Sequence, residues 1–168
     1  MLELQLNCTG TPSANHSATD TRMHEKGAAA VVGLEVLSSS DRRFFTTIGF
    51  NYSSGRLFVD HTNSGRNFTS GIVQTAPLPG GHGEAAAAAA GGGGVQLYIL
   101  VDHALIESFL NRRAVITSWI SELMSEPAPG GAPGAGGTEE RAVYALPAPA
   151  GVACTFSSAE LTALQPVR

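Results

Sequence analysis

From Val95 to Ile120 the chain reads VQLYILVDHALIESFLNRRAVITSWI, two apolar β-type runs flanking a short polar break that carries Asp102, His103 and Glu107. The stretch predicts a strand, a tight corner, a second strand and a third. Val95, Leu97, Ile99 and Val101 fall on one face at period two, with Gln96, Tyr98, Leu100 and Asp102 on the other. Because neither face of the first strand is wholly polar, that strand belongs in the middle of a sheet or between two layers. A β-sandwich follows.

The rest of the chain keeps the same rhythm. Leu2, Leu4 and Leu6 alternate with Glu3, Gln5 and Asn7, before a Thr-, Ser- and Asn-rich loop over Thr9–Gly27. Strands are expected at Val31–Leu37, Phe44–Tyr52, Arg56–Asp60 and Phe68–Thr75. Ser53-Ser54-Gly55 makes the second and third of these an antiparallel hairpin in which Leu57 and Val59 point together, opposite Phe58. Short strands are expected again at Val143–Leu146 and Val152–Phe156, with the tail Ala159–Val167 alternating enough to close a sheet. Gly80–Gly94 and Glu126–Gly137 are low-complexity stretches of Gly, Ala and Pro, too poor in apolar surface to offset their ordering entropy, and read as disordered loop insertions. Many short strands at roughly 8–12-residue spacing are the mark of an all-β sandwich or barrel.

With 168 residues, one domain with its own core is the default. Charged residues make up 14% of the chain, low against the roughly 25% of ordinary soluble domains. The net charge is −4, and the arginines stand singly or in pairs beside a lone lysine, so no basic stripe exists to neutralise phosphates. Nucleic acid is thereby excluded as an expected partner. No apolar run is long enough to cross a bilayer, so no membrane segment is expected, nor a signal peptide within the first residues.

Four sequons, at Asn7, Asn15, Asn51 and Asn67, nevertheless favour passage through the secretory route. The two cysteines, Cys8 and Cys154, lie near opposite ends of the chain. In an oxidising compartment they bridge if the first and last strands are neighbours; otherwise they are two buried thiols acting as small hydrophobes.

Chemistry-bearing residues are few. Asp60-His61 and Asp102-His103 each end an apolar run, and a metal site would need those two ends to converge. Asp and His at strand ends more often cap turns, and neighbours on a strand point to opposite faces, so no metal and no cofactor are expected. A triad of Ser108, His103 and Asp102 lacks a nucleophile elbow. Asp102 and Glu107 are the only acidic pair set in apolar sequence. Glycosidic cleavage needs two such carboxyls roughly 5–10 Å apart, but a wet strand face or a salt bridge to Arg112 or Arg113 accounts for Glu107 more simply. Tyr98 and Trp119 have the rings to stack on a sugar, or equally to fill a core.

The stretch Val101-Asp102-His103-Ala104-Leu105-Ile106-Glu107-Ser108-Phe109, followed by Ala114-Val115-Ile116-Thr117-Ser118, resembles the V-D-H-S-[IV]-[VI]-E-[SV]-[FY] signature and its following strand in the C-terminal β-sandwich module of glycoside hydrolase family 32. That family holds the invertases, β-fructofuranosidases and fructan hydrolases. Upstream, Gly55-Arg56-Leu57-Phe58-Val59-Asp60-His61-Thr62-Asn63-Ser64-Gly65 is similar to its G-x-L-x-V-D-R-[ST]-x-S-G motif, and Gln74-Thr75-Ala76-Pro77-Leu78 fits the segment after it. The departures are Ala104 for the usual Ser, His61 for the usual Arg, and Trp119 where Arg is common.

The resemblance implies a two-layer antiparallel sandwich of concanavalin-like or jelly-roll type over residues 1–168, with inserts at about 80–94 and 126–138. It also implies that the family's catalytic acids lie elsewhere: the nucleophile in N-D-P-N-G, the stabiliser in R-D-P and the acid/base in E-C sit on an N-terminal propeller. None of these motifs occurs in this chain, so no catalytic residue transfers. The expected role is that of the accessory module of a secreted or vacuolar sucrose- or fructan-cleaving enzyme, present as a fragment, with Asp60, Asp102, His103 and Glu107 as candidates for contact with the propeller. One alternative is a free-standing, lectin-like sandwich that binds sucrose or fructan through Tyr98 or Trp119. Another is an interaction remnant that self-associates through an uncovered apolar face.

Overall fold

The computed structural model describes residues 2–12, 30–38, 44–64, 73–79, 94–102, 105–119 and 142–160. Expectations for Asn15, Asn67, His103, residues 68–72 and 161–168, and nearly all of both low-complexity stretches lie outside the described residues.

Ten strands form in chain order: β1 (Leu2–Gly10), β2 (Val31–Ser38), β3 (Thr46–Asn51), β4 (Arg56–Asp60), β5 (Val73–Pro77), β6 (Val95–Asp102), β7 (Leu105–Leu110), β8 (Ala114–Trp119), β9 (Ala142–Ala145) and β10 (Val152–Glu160). They make two five-stranded sheets, one in the order β10-β1-β6-β7-β8 and the other β5-β4-β3-β2-β9. Every pairing is antiparallel. The sheets stack with β1 over β2, β6 over β3, and β8 over β4 and β5. The expected all-β sandwich is the observed fold, and among the described residues no helix occurs.

Period two dictates the core. Leu4, Leu6 and Cys8 of β1, Val95, Leu97, Ile99 and Val101 of β6, and Ile106 and Leu110 of β7 turn inward against Val32, Leu34 and Val36 of β2, Ile48 and Phe50 of β3, and Leu57 and Val59 of β4. Each fully buried aliphatic side chain contributes about 1.5–3 kcal/mol. The β6 strand, apolar on both faces, sits in the middle of its sheet, flanked by β1 and β7.

Local chemistry sets the connections. Asn111 and Arg112 both have positive φ (50° and 56°), and Arg113 N–H donates to Leu110 O at 2.9 Å, closing β7 onto β8 through the three-residue turn Asn111–Arg113. Asn111 also clips the turn to β6, accepting from Gln96 N at 2.6 Å. On the other sheet, Gly33 and Gly49 face each other across β2 and β3. A Cβ on Gly33 would come 2.3 Å from the Ile48 carbonyl oxygen. Phe58, opposite Gly49 on β4, lays its ring over that bare backbone, so it is only 8% exposed although it points away from Leu57 and Val59.

Three boundaries differ from the sequence reading. Strand β3 starts at Thr46 rather than Phe44, because Phe45 N–H is diverted to Asn63 O at 2.8 Å instead of a ladder partner. Strand β5 runs through Pro77, which an edge strand tolerates because only one side of its backbone must pair. Glu107 stands in the body of β7, not in the polar break before it.

Candidate functional site

The outer face of the β10-β1-β6-β7-β8 sheet gathers most of the residues singled out from the sequence. Cross-strand register sets them in rows: Asp102, Leu105 and Trp119; then Glu3, Leu100, Glu107 and Thr117; then Gln5, Tyr98, Phe109 and Val115; then Asn7 beside Gln96. Asp102 and Glu107 therefore share a face, as do Tyr98 and Trp119. Trp119 is 71% exposed and Val115 52%, large apolar groups in water on the edge strand β8. Tyr98 packs against Phe109 with ring centroids 6.0 Å apart. Desolvation by the sheet, and secondarily the Glu3 carboxylate to which it hydrogen-bonds, push the Tyr98 hydroxyl up from its ordinary pKa. Asn7 Oδ1 accepts from Gln5 Nε2 and Gln96 Nε2, both at 3.3 Å. Among the described residues Glu107 forms no salt bridge with Arg112 or Arg113; it lies half-buried between Leu100 and Thr117.

Asp60 lies elsewhere, at the end of β4 in the opposite sheet. Its Oδ1 accepts from Thr62 N at 2.8 Å and Thr62 Oγ1 at 2.5 Å, capping the turn that follows. The turn delivers His61 into the interior, 1% exposed. His61 Nε2 lies 2.5 Å from Ser118 Oγ of β8, and Nδ1 lies 3.3 Å from Ser64 Oγ. Ser64 Oγ is in turn 2.6 Å from Thr46 Oγ1 and donates to Phe45 O at 3.4 Å. A neutral imidazole satisfies the whole chain when Ser118 donates to Nε2 and both Nδ1–H and the Thr46 hydroxyl donate to Ser64 Oγ. Burial lowers the His61 pKa below its ordinary value, against a smaller raising effect of Asp60. The result is a sealed polar bridge between the two sheets.

The sequence reading weighed Asp60-His61 as a metal or turn element, and the turn is what forms. It missed the bridge. Ser118 did carry a signal, because it occupies an inward position in phase with Ala114 and Ile116, and a buried hydroxyl must find a partner. Ser108, also inward, donates to Ile116 O at 3.2 Å within the core. Among the described residues, no three His, Cys, Asp or Glu side chains cluster as metal ligands.

Cys8 and Cys154 stand directly opposite each other on β1 and β10 and form a disulfide. The alternative left open by the sequence is thereby settled, since the first and last strands are neighbours.

Two antiparallel sheets, a polar bridge sealed between them and one aromatic, acid-flecked outer face define a β-sandwich module. Residues 2–127 match the family model described as glycosyl hydrolases family 32, C terminal, and the chain belongs to that family. No curated protein sequence matches it. Among solved structures it is similar in fold to an exo-inulinase from Aspergillus awamori, at a TM-score of 0.56 and 15% identity, with 94% of this chain aligned. A β-fructofuranosidase from Aspergillus kawachii aligns at 0.51 and 13%. This chain spans 24% of the first enzyme and 22% of the second. A congerin II double mutant also aligns, at a TM-score of 0.51 and 8% identity, with 94% of this chain covering 90% of that one.

Proposed function

We propose that this chain is a non-catalytic accessory sandwich of a fructoside-cleaving enzyme, and that it works by packing against and stabilising a catalytic propeller. The observation that carries the reading is the family match over residues 2–127 in a chain whose sequence holds none of the three acid-bearing catalytic motifs. The outer face bearing Trp119, Val115, Phe109 and Leu105 is the docking surface in this reading, with Asp102 and Glu107 as its polar contacts. The Cys8–Cys154 bond supports a secreted or vacuolar location, because disulfides persist in oxidising compartments.

The test pairs the purified chain with a family propeller expressed without its own sandwich. The chain alone is expected to leave sucrose and inulin intact. Added to the propeller, it should raise the melting temperature and the half-life of fructoside hydrolysis, and Trp119→Ala should weaken that rescue. Sucrose hydrolysis by the chain alone, abolished by Glu107→Gln, would overturn the proposal.

A second reading, a sandwich that binds sucrose or fructan itself, is favoured by the exposure of Trp119 on the face that also carries Tyr98, Gln96 and Glu107. Calorimetric titration with inulin oligosaccharides separates the two. Binding heat that disappears in Trp119→Ala and Tyr98→Ala supports lectin-like behaviour, and a flat titration at saturating ligand removes it.

A further inference from the structure

We infer that Asn51 is a site of N-linked glycosylation, and that Asn7, though it satisfies the same sequon, is left bare. The four sequons are equal as text; the fold makes these two different. Asn51 ends β3 and opens the turn Tyr52–Gly55 to β4. Its Oδ1 accepts from Ser53 N at 2.9 Å and Ser54 N at 3.1 Å, and Gly55 N–H donates to the Asn51 carbonyl at 2.8 Å. With Oδ1 turned toward the backbone, the other arm of the carboxamide, Nδ2, makes no hydrogen bond among the described residues. The sequon serine, Ser53, is exposed at the turn. Tyr52 between them is 7% exposed and stacks edge-on against Phe50 with centroids 5.0 Å apart, so the turn is pinned to the core while Asn51 and Ser53 face out of it. A glycan there extends from the end of a hairpin without crossing either sheet.

Both asparagines are half-buried and laddered on two sides, Asn51 to Val31 of β2 and Arg56 of β4, Asn7 to Thr155 of β10 and Gln96 of β6. They differ in position, Asn51 at the last residue of its strand and Asn7 in the body of β1, and in what holds the carboxamide. The Asn7 side chain receives two amide donors on the sheet's outer face. The middle residue of its sequon, Cys8, is 1% exposed and bonded to Cys154. A glycan on Asn7 would have to displace Gln5 and Gln96 and lie across the sheet.

The reaction uses a polyprenyl-diphosphate-linked oligosaccharide as donor. Asn51 Nδ2 attacks the anomeric carbon, the C–N bond forms as the C–O bond to phosphate breaks, Nδ2 loses one proton, and the polyprenyl diphosphate leaves. The disulfide is independent support that the chain meets a compartment where this donor is available.

The test directs the full chain into the secretory pathway of a eukaryotic host with an appended signal, then maps glycopeptides by amidase release in heavy-oxygen water. The Asn51 peptide is expected to carry the heavy-aspartate label and the Asn7 peptide to lack it. Asn51→Gln removes the glycan but also the turn cap, so Ser53→Ala is the cleaner variant: it abolishes the sequon while Asn51 keeps both backbone bonds. Loss of the Asn51 glycan in Ser53→Ala, with a melting curve matching that of wild-type chain trimmed by an endoglycosidase that leaves residue 51 an asparagine, supports the assignment. An unlabelled Asn51 in the wild-type chain, or a label on Asn7, overturns it.

Discussion

Replacing Cys154 by Ala, or reducing the Cys8–Cys154 bond, is expected to lower stability by about 5 kcal/mol, the largest effect of any single change to this fold. The bond spans a sequence separation of 146 residues, so breaking it releases nearly the whole chain from a loop constraint in the unfolded state. The chain-entropy relation gives about 5 kcal/mol for a loop of that length. The native state loses as well. Strand β10 is an edge strand whose described side chains are mostly exposed, Phe156 at 43% among them, so apolar burial holds it weakly. Beyond its ladder to β1, the covalent tie is the main thing that fixes β10. The check is thermal denaturation with and without a phosphine reductant. A fall of about 10–20 °C is expected on reduction, scaled from domain entropies, and the Cys154→Ala chain should show no further fall. Equal melting points in both conditions would sink the account. Hydrogen exchange adds spatial detail, since β10 amides should lose protection before those of β6.

The same bond shows where sequence reading stops. Strand membership was legible because it is local: alternation over Leu2–Asn7 and Val95–Asp102 names the inward side chains with no knowledge of neighbours. Pairing is not local. Whether Cys8 meets Cys154 depends on which strands become adjacent, and nothing near either residue states that. The extension of β10 to Glu160 was partly hidden for the same reason, since Ser157 and Ser158 carry no apolar signal and take their strand conformation from β1. Register also decided the outer face. Tyr98 and Asp102 were visible as face-mates by parity, but Trp119 joins them only because Leu105 pairs with Asp102 on one side and Trp119 on the other.

His61 is the residue whose importance was least visible and whose loss is next most costly. Replacement by Ala leaves a cavity and strips Ser118, and in part Ser64, of partners in a region sealed from water; the combined cost is about 3 kcal/mol. A pH signature separates this bridge from ordinary packing. Burial holds the folded pKa of His61 below its ordinary value of 6.5, so the unfolded chain binds the proton more readily than the folded one. The stabilisation is therefore fully present above pH 6.5 and is lost as pH falls from there toward the lowered folded value, with a slope of up to about 1.4 kcal/mol per pH unit from this one group. Carboxylates titrate over part of the same range, so the informative quantity is the difference between two curves. Urea denaturation of the wild type and of His61→Gln, run from pH 7.5 to 5, should show the two stabilities converging as the solution is acidified, because glutamine can hydrogen-bond to Ser118 or Ser64 but takes up no proton. Parallel curves would mean that the imidazole keeps its charge freely inside the fold, and the neutral bridge joining β4 to β8 would have to be abandoned.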